Sequence, residues 1–186
     1  MIYLGMAKAP TWNRIKKELI GYDSSDLLEV IQSLYDLSKQ NQALLMGLVD
    51  QEASVEALKA PVVKAIAKAF NPHRGFPSFK TTEAKRAVYQ FAKIAPQHET
   101  LEMMLHFVQS GIWATNQYGD IDEAFYTNLE DMWGVALELV LEVREPQTEL
   151  SRLKTILKSA QGFGWGFTDQ MNDLFALFME KLEATS

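Results

Sequence analysis

The chain has 186 residues, of which 47% are hydrophobic, and a formal net charge of −6. This length and hydrophobic content allow one full core and exclude a disordered chain. The absence of cysteine excludes disulfides, thiolate metal sites and cysteine nucleophiles. The apolar run at residues 1–6 is too short for a signal peptide, and no segment approaches the about 20 apolar residues that a membrane span needs, so a soluble cytoplasmic protein is expected.

Short helices are predicted near the start of the chain. Residues 1–10 are expected to form a loosely packed segment, followed by a first helix that begins at a cap on Thr11. A second helix is expected to begin at Ser24 or Ser25, because a serine side chain can bond the free amides of the first turn. Asn41 is expected to begin a third helix.

The middle of the chain alternates long helical patterns with turns that contain proline or glycine. Pro61 is expected in the first turn of a helix, because proline loses no hydrogen bond there. Two prolines and a glycine predict a loop over residues 71–79. Thr82 is expected to open the next helix, and Pro96 to stand at the start of a long helix over residues 97–117.

The last third of the chain continues this helical pattern. After a turn at Tyr118, a helix is predicted from about Asp122 to Val143. Pro146 is expected to end this helix and to start the next one. The last helix is predicted from about Thr168 to Leu182. The sequence therefore predicts an all-α single domain over residues 1–186, with about nine helices in an antiparallel bundle or a short stack of helical hairpins. The large aromatic residues expected in its core are Trp113, Phe125, Trp133 and Phe175.

Charge is distributed unevenly along the chain. Residues 54–95 contain eight cations and two acids, whereas residues 96–149 contain eleven acids and one cation, Arg144. Such a separation would steer a charged partner or align copies of the chain head to tail. The alternative is that the two sets belong to solvated helix faces that partly neutralise each other.

The turn that follows the predicted 97–117 helix has the densest group of polar side chains. The residues of a candidate binding site there are Asn116, Tyr118, Asp120 and Asp122. An EF-hand alignment on Gly119 fails, because it places Ala114 and Phe125 at ligand positions where neither can bind calcium. The alternative to a site is a helix cap, in which Asp120 or Asp122 accepts hydrogen bonds from the amides of the next helix.

A second glycine string, residues 162–167, is expected to stop one helix and form a tight aromatic corner. It lacks the Lys-Ser/Thr pair of a phosphate-binding loop. Trp165 and Phe167 are accordingly expected to be core residues rather than residues that bind a ligand.

Helix parity predicts which turns meet. In an antiparallel array, turns an even number of helices apart emerge at the same end, so the Tyr118 turn and the 162–167 corner should lie together and frame a shallow cleft. By the same count, the cationic loop His73–Lys80 should bring Arg74 or Lys80 close to Asp120. The residues that this adds to the candidate binding site are Trp165, Phe167, Arg74 and Lys80.

Two further groupings are weaker. His98, Glu102 and His106 share one helix face, but the chain has only three histidines, so the favoured interpretation is a surface stripe in which Glu102 pairs with one imidazole. Cations and aromatics interleave over residues 73–89 as in single-strand binders, yet the chain is acidic and contains no nucleic-acid-binding motif. No metal site, no cofactor and no catalytic residue is predicted.

Several strings together resemble a bacterial family of small helical proteins that is catalogued as a domain of unknown function. They are Arg14-Ile-Lys-Lys-Glu-Leu19, the 27–37 helix, Ala84-Lys-Arg-Ala87, Thr115-Asn-Gln-Tyr-Gly-Asp-Ile-Asp122 and Gly164-Trp-Gly-Phe167. The resemblance covers roughly residues 14–178. It implies an all-helical fold in a bacterial cytoplasm, and it brings no activity, ligand or catalytic residue.

The function predicted from these observations is a non-catalytic helical scaffold that binds another protein or a second copy of itself. The alternative is a small-ligand or metal-binding protein, or an enzyme, that uses the 116–122 turn. A nucleic-acid binder acting through residues 73–89 is less favoured, and no membrane partner is expected.

Overall fold

The computed structural model describes residues 11–142 and 146–184, without the side chains at positions 40, 51, 52 and 54. The predicted N-terminal segment over residues 1–10 and the predicted helix end at Val143 lie outside these ranges. Nine α-helices and one 3₁₀ helix make up the secondary structure of the described part, which confirms the all-α prediction. The helices are α1 (Trp12–Leu19), α2 (Ser24–Leu37), α3 (Lys39–Met46), α4 (Gln51–Phe70), α5 (Thr81–Phe91), α6 (Gln97–Tyr118), α7 (Glu123–Glu142), the 3₁₀ helix (Pro146–Glu149), α8 (Leu150–Ser159) and α9 (Phe167–Ala184).

The described residues divide into two compact units, one ending at Leu45 and one beginning at Met46. The first unit holds α1, α2 and most of α3, and the second holds α4 to α9. Single-domain organisation of the whole chain stays a prediction. No helix in the described ranges combines the length and the apolar run that a membrane crossing needs.

The helix starts in the first unit differ slightly from those predicted. Thr11 stands at the N-cap of α1, as expected, but its side chain makes no capping hydrogen bond. Asp23, and neither serine, caps α2: its carboxylate accepts hydrogen bonds from the amides of Ser25 at 2.8 Å and Asp26 at 2.9 Å. The Asp26 carboxylate accepts in return from the amide of Asp23, which completes a capping box.

In the second unit, pairs of neighbouring helices pack on one another. α4 packs on α5 and α6, α6 packs on α7, and α7 packs on α9. Residues 119–122 join α6 to α7, and a connection this short makes the two helices a hairpin. Gly111 permits their close approach, because a Cβ at that position would lie 2.4 Å from Leu129 Cδ2. The predicted hairpin architecture is therefore present in this unit.

The core contains most of the aromatic residues that were expected there. Trp133 and Phe125 are buried, and the indole N–H of Trp133 donates a hydrogen bond to the carbonyl of Met171 at 3.3 Å, which ties α7 to α9. Phe175 is half-buried against the same core. The prediction for Trp113 is wrong, since its side chain is 38% exposed. It follows the buried Ile112 in α6 and so lies about 100° around the helix from that core position.

The prediction for Pro61 is also wrong. The helix that contains it begins earlier, at Gln51, and is capped by Asp50, whose carboxylate accepts a hydrogen bond from the amide of Ala53 at 3.0 Å. Pro61 therefore lies inside α4, where it removes one hydrogen bond of the helix. Pro96 stands at the N-cap of α6, next to the predicted start.

Candidate functional site

Asp120 joins the turn over residues 116–122, which we call the Tyr118 turn, to the glycine corner over residues 162–167. Its Oδ1 atom accepts a hydrogen bond from the hydroxyl of Tyr126 at 2.7 Å and another from the amide of Gly164 at 3.3 Å. The prediction that these two strings lie together is thereby confirmed.

The glycine corner lies close against this carboxylate. A Cβ at Gly164 would stand 2.7 Å from Oδ2 of Asp120, so a larger residue there would force the carboxylate to move. Thr168 holds the corner closed: its hydroxyl donates to the carbonyl of Ala160 at 2.9 Å and accepts from the amide of Phe163 at 3.1 Å. Trp165 adopts a left-handed backbone conformation, with φ of 58°.

Asp122 has the capping role that was the alternative to a binding site. Its Oδ1 accepts a hydrogen bond from the amide of Phe125 at 2.7 Å, in the first turn of α7. Asp120 is no cap, because its contacts are with a tyrosine side chain and a distant backbone amide. One of the two aspartates thus serves local structure, and the other links two segments far apart in the sequence.

Tyr126 is the buried partner of this link. Its ring packs on Phe125 and Phe167, with centroids 5.4 Å and 4.9 Å away, and 1% of the residue is exposed. Burial raises the pKa of Tyr126 to about 12, and the neighbouring Asp120 carboxylate acts in the same direction. A phenol with this pKa is protonated at neutral pH, so it acts as a hydrogen-bond donor and not as a base.

Three exposed aromatic rings meet beside the Tyr118 turn. Tyr118 lies 6.2 Å from Phe76 and 6.2 Å from Trp113, measured between ring centroids. Phe76 is 85% exposed, Tyr118 43% and Trp113 38%. Behind them, the half-buried Phe79 contacts Tyr118 at 5.7 Å and the core residue Phe125 at 6.2 Å. We call Phe76, Trp113 and Tyr118 the Tyr118 patch.

The loop over residues 71–80 holds part of this patch in place. The amides of Ser78 and Phe79 donate hydrogen bonds to the carbonyls of Lys68 and Ala69 in the last turn of α4, at 3.1 Å and 3.0 Å. Phe79 has a left-handed backbone, with φ of 53°. These contacts fix the course of the chain between Phe76 and the start of α5.

The same loop also borders a shallow depression of about 270 Å³. The lysines that line it are Lys64, Lys68 and Lys80. Lys68 pairs with Glu83 at 3.3 Å, and within the described ranges Lys64 and Lys80 form no ion pair. Positive charge in the depression is therefore only partly neutralised.

The remaining predicted site residues are distributed as follows. Asn116 is exposed in the last turn of α6, and Trp165 is 60% exposed on the glycine corner. Phe167 is fully buried against Tyr126, which confirms the expectation of a core residue and excludes it from the wall of a cleft, whereas the same core expectation is wrong for Trp165. Arg74 and Lys80 are exposed, and neither forms an ion pair with Asp120 in the described part of the chain. Their loop reaches the Tyr118 turn through Phe76 and Phe79 instead.

The aromatic patch and the buried Tyr126 were not predicted as a site. Phe76 and Phe79 were noted only for the cations near them, although an aromatic residue in a proline-glycine loop belongs to no helix stripe and so has a weak reason to be buried. No sequence pattern could have found the Asp120–Tyr126 contact, because the two residues are six apart across a turn.

The other charged groupings serve packing. Lys59 pairs with Glu99 at 2.9 Å and Lys85 with Asp131 at 2.5 Å, so the basic and acidic segments partly neutralise each other. Glu102 pairs with Arg152 of α8 and with neither imidazole, which corrects the predicted stripe. Within residues 11–142 and 146–184, no three histidine or acidic side chains are arranged to hold a metal ion.

The fold and this site together define an all-α protein whose second unit exposes a clustered aromatic surface. No protein-family model, no curated protein and no solved structure matches the chain.

Proposed function

We propose that this chain is a non-catalytic protein-interaction module that binds another protein through the Tyr118 patch. The observation that carries the proposal is that the exposed ring of Tyr118 contacts two other exposed aromatic rings, those of Phe76 and Trp113. Single exposed apolar side chains are ordinary on protein surfaces, whereas clustered ones mark sites of association. We also propose that the chain acts in a bacterial cytoplasm, as the family resemblance implies.

The packing behind Tyr118 supports the same function. Tyr118 is backed by Phe79, which in turn packs on the buried Phe125, and the loop is bonded to the end of α4. Aromatic anchors that are already ordered lose little conformational entropy when a partner covers them. Tyrosine and tryptophan are also the residues that most often dominate the binding energy of interfaces.

The charge beside the patch indicates the chemistry of the partner. The loop that contributes Phe76 to the patch also contributes Lys80 to the lysine-lined depression, so one loop carries both surfaces. A segment with apolar anchors and acidic neighbours would satisfy both surfaces at once. We therefore propose an acidic, apolar segment of another protein as the partner.

Selection of peptides on the immobilised full-length chain tests this proposal. The expected consensus has acidic residues around one or two large apolar ones. Binding of the selected peptide should weaken at least about tenfold in Phe76→Ala and in Tyr118→Ala, and should weaken as salt increases. Leu177→Ala is the matched control, because Leu177 is also an exposed apolar residue (54%) but lies on α9.

Two outcomes would contradict the proposal. The first is equal binding by the wild type and both patch variants. The second is that a single-stranded oligonucleotide binds more tightly than any selected peptide and depends on Phe76 and Lys80. That result would assign the surface to nucleic acid, for which stacking aromatics beside cations are also suited.

A further inference from the structure

The first two helices expose their apolar faces. Neither α1 nor α2 has a buried residue, and Trp12 is 65% exposed while Leu28 is 64% exposed. The other exposed large apolar side chains of residues 12–37 are Ile15, Ile20, Tyr22, Ile31, Leu34, Tyr35 and Leu37. These side chains make up most of the apolar content of both helices, so none of the described residues of the first unit covers their faces.

The exposed residues are arranged for packing. In α2, Leu28, Ile31, Leu34 and Tyr35 are spaced by three, four and seven positions, which places them on one side of the helix. An isolated helix of 14 residues is marginal in water, and the amphipathic helices of globular proteins gain most of their stability from tertiary packing. The apolar face of α2 is thus suited to be covered by another helix.

The charges of the two helices are opposite. α1 contains Arg14, Lys16 and Lys17 with one acid, Glu18. α2 and its cap contain acids without a cation, and these acids are Asp23, Asp26, Glu29 and Asp36. Within the described part of the chain, the three cations of α1 form no ion pair. A helix like α2 is therefore the electrostatically favoured cover for a helix like α1.

We infer that the first unit is a dimerisation surface, on which α1 of one copy packs against α2 of a second copy. In a two-fold arrangement each copy supplies one cationic and one acidic helix, so the favourable pairing occurs twice. This inference goes beyond the proposed function, because it uses the first unit and no residue of the Tyr118 patch.

Two other occupants are less favoured. A cationic amphipathic helix with tryptophan, such as α1, is also suited to an anionic lipid surface. The four acids of α2 and its cap would be repelled from that surface, however, so lipid could not cover both helices. A different protein with the same charge pattern could also cover the two helices, but a second copy necessarily has this pattern because its sequence is the same.

Sedimentation velocity of the full-length chain between about 1 μM and about 100 μM tests the inference. The wild type is expected to show a concentration-dependent dimer. Ile31→Asp should weaken the dimer at least about tenfold, since it places a charge in the apolar face. Ile31 is 41% exposed, so this change should leave the fold of each copy intact, as circular dichroism would verify. Leu177→Asp on α9 is the control and should leave dimerisation unchanged.

A charge exchange makes the test specific for the pairing of α1 with α2. Lys16→Glu with Lys17→Glu should weaken the dimer, and Glu29→Lys with Asp36→Lys should weaken it as well. The chain that combines all four changes should dimerise again, because the opposite charges are restored in exchanged positions.

Several results would overturn the inference. They are a monomer at every concentration, a dimer that Ile31→Asp does not weaken, and a fourfold variant no better than its parents. A monomer that binds vesicles of anionic phospholipid through Trp12 would assign the surface to lipid instead. Phe76→Ala should leave dimerisation intact, so the failure of this inference and the failure of the proposed function would be distinguishable.

Discussion

The carboxylate of Asp120 accepts a hydrogen bond from the hydroxyl of Tyr126 at 2.7 Å, and this contact joins an exposed turn to the buried core of the second unit. The same carboxylate oxygen accepts from the amide of Gly164 in the corner that precedes α9. One side chain thereby fixes both the turn between α6 and α7 and the approach to the last helix.

Tyr126→Phe should destabilise the protein by about 1 kcal/mol at neutral pH, because it removes the hydrogen bond from the phenol to the exposed Asp120 carboxylate. Urea denaturation of both proteins gives the difference in free energy of unfolding. Tyr118→Phe is the control, since Tyr118 is 43% exposed. Equal stability of wild type and Tyr126→Phe would show that the hydrogen bond contributes nothing.

The pKa of Tyr126 predicts a loss of stability in alkaline solution. Folding raises this pKa from 10.0 to about 12, so the folded protein favours the protonated phenol. The resulting stability is complete below about pH 10 and is lost as the pH rises to about 12, by about 1.4 kcal/mol for each pH unit in that window. The stability advantage of the wild type over Tyr126→Phe should therefore shrink through the window. An advantage that stays constant with pH would contradict the assignment.

A double-mutant cycle at Gly164 and Asp120 tests their close contact. Gly164→Ala should cost about 1–3 kcal/mol, because its Cβ would lie 2.7 Å from Asp120 Oδ2 and would displace the carboxylate. Asp120→Ala alone should cost about 1 kcal/mol through its two lost hydrogen bonds. In the Asp120→Ala background, Gly164→Ala should be nearly neutral. Additive effects in thermal unfolding would mean that the two residues do not interact.

The two phenylalanines of the loop should differ in their effects. Phe76→Ala is expected to change the free energy of unfolding by less than about 0.5 kcal/mol, because its ring is 85% exposed. Phe79→Ala should cost about 1–3 kcal/mol, because Phe79 connects Tyr118 to the buried Phe125. Denaturation midpoints of the two variants provide the comparison, and a larger loss for Phe76→Ala would reverse their assigned roles.

His106 should destabilise the fold in acid. Burial lowers its pKa, and the nearby Arg152 acts in the same direction. Because the pKa of His106 in the folded state is below the ordinary value of 6.5, its neutral imidazole stabilises the fold above pH 6.5. This stability is lost as the pH falls below 6.5 and the imidazole must be protonated. His106→Gln should reduce this acid sensitivity, measured as the change in melting temperature between pH 7 and pH 5. An identical pH profile would contradict the prediction.

Helical periodicity predicted the fold class because one apolar stripe per helix is visible in a single sequence. Parity of short connections also predicted that the Tyr118 turn meets the glycine corner. The same reasoning failed for Pro61, since a cap at Asp50 started α4 earlier than the proline suggested. Trp113 was misplaced because it lies one position beyond the buried stripe of α6, and a pattern of spacings does not define the edge of that stripe.

The details of the site could not be predicted for a different reason. Asp120 contacts Gly164, which is 44 residues away, and no local pattern determines which of two aspartates turns toward a distant backbone amide. The Tyr118 patch likewise depends on where a loop of ten residues, 71–80, meets the end of α6. Such contacts follow from the packing of whole helices.

The last turn of α4 uses carbonyls that a helix end normally leaves to water. The carbonyls of Lys68 and Ala69 accept hydrogen bonds from the amides of Ser78 and Phe79, so the aromatic loop extends the hydrogen-bond network of the helix. Opening of that last turn would release the loop at the same moment. Amide hydrogen exchange at Ser78 and Phe79 should accordingly be as slow as exchange in the final turn of α4, and this binding surface would open and close as part of the helix rather than as an independent loop.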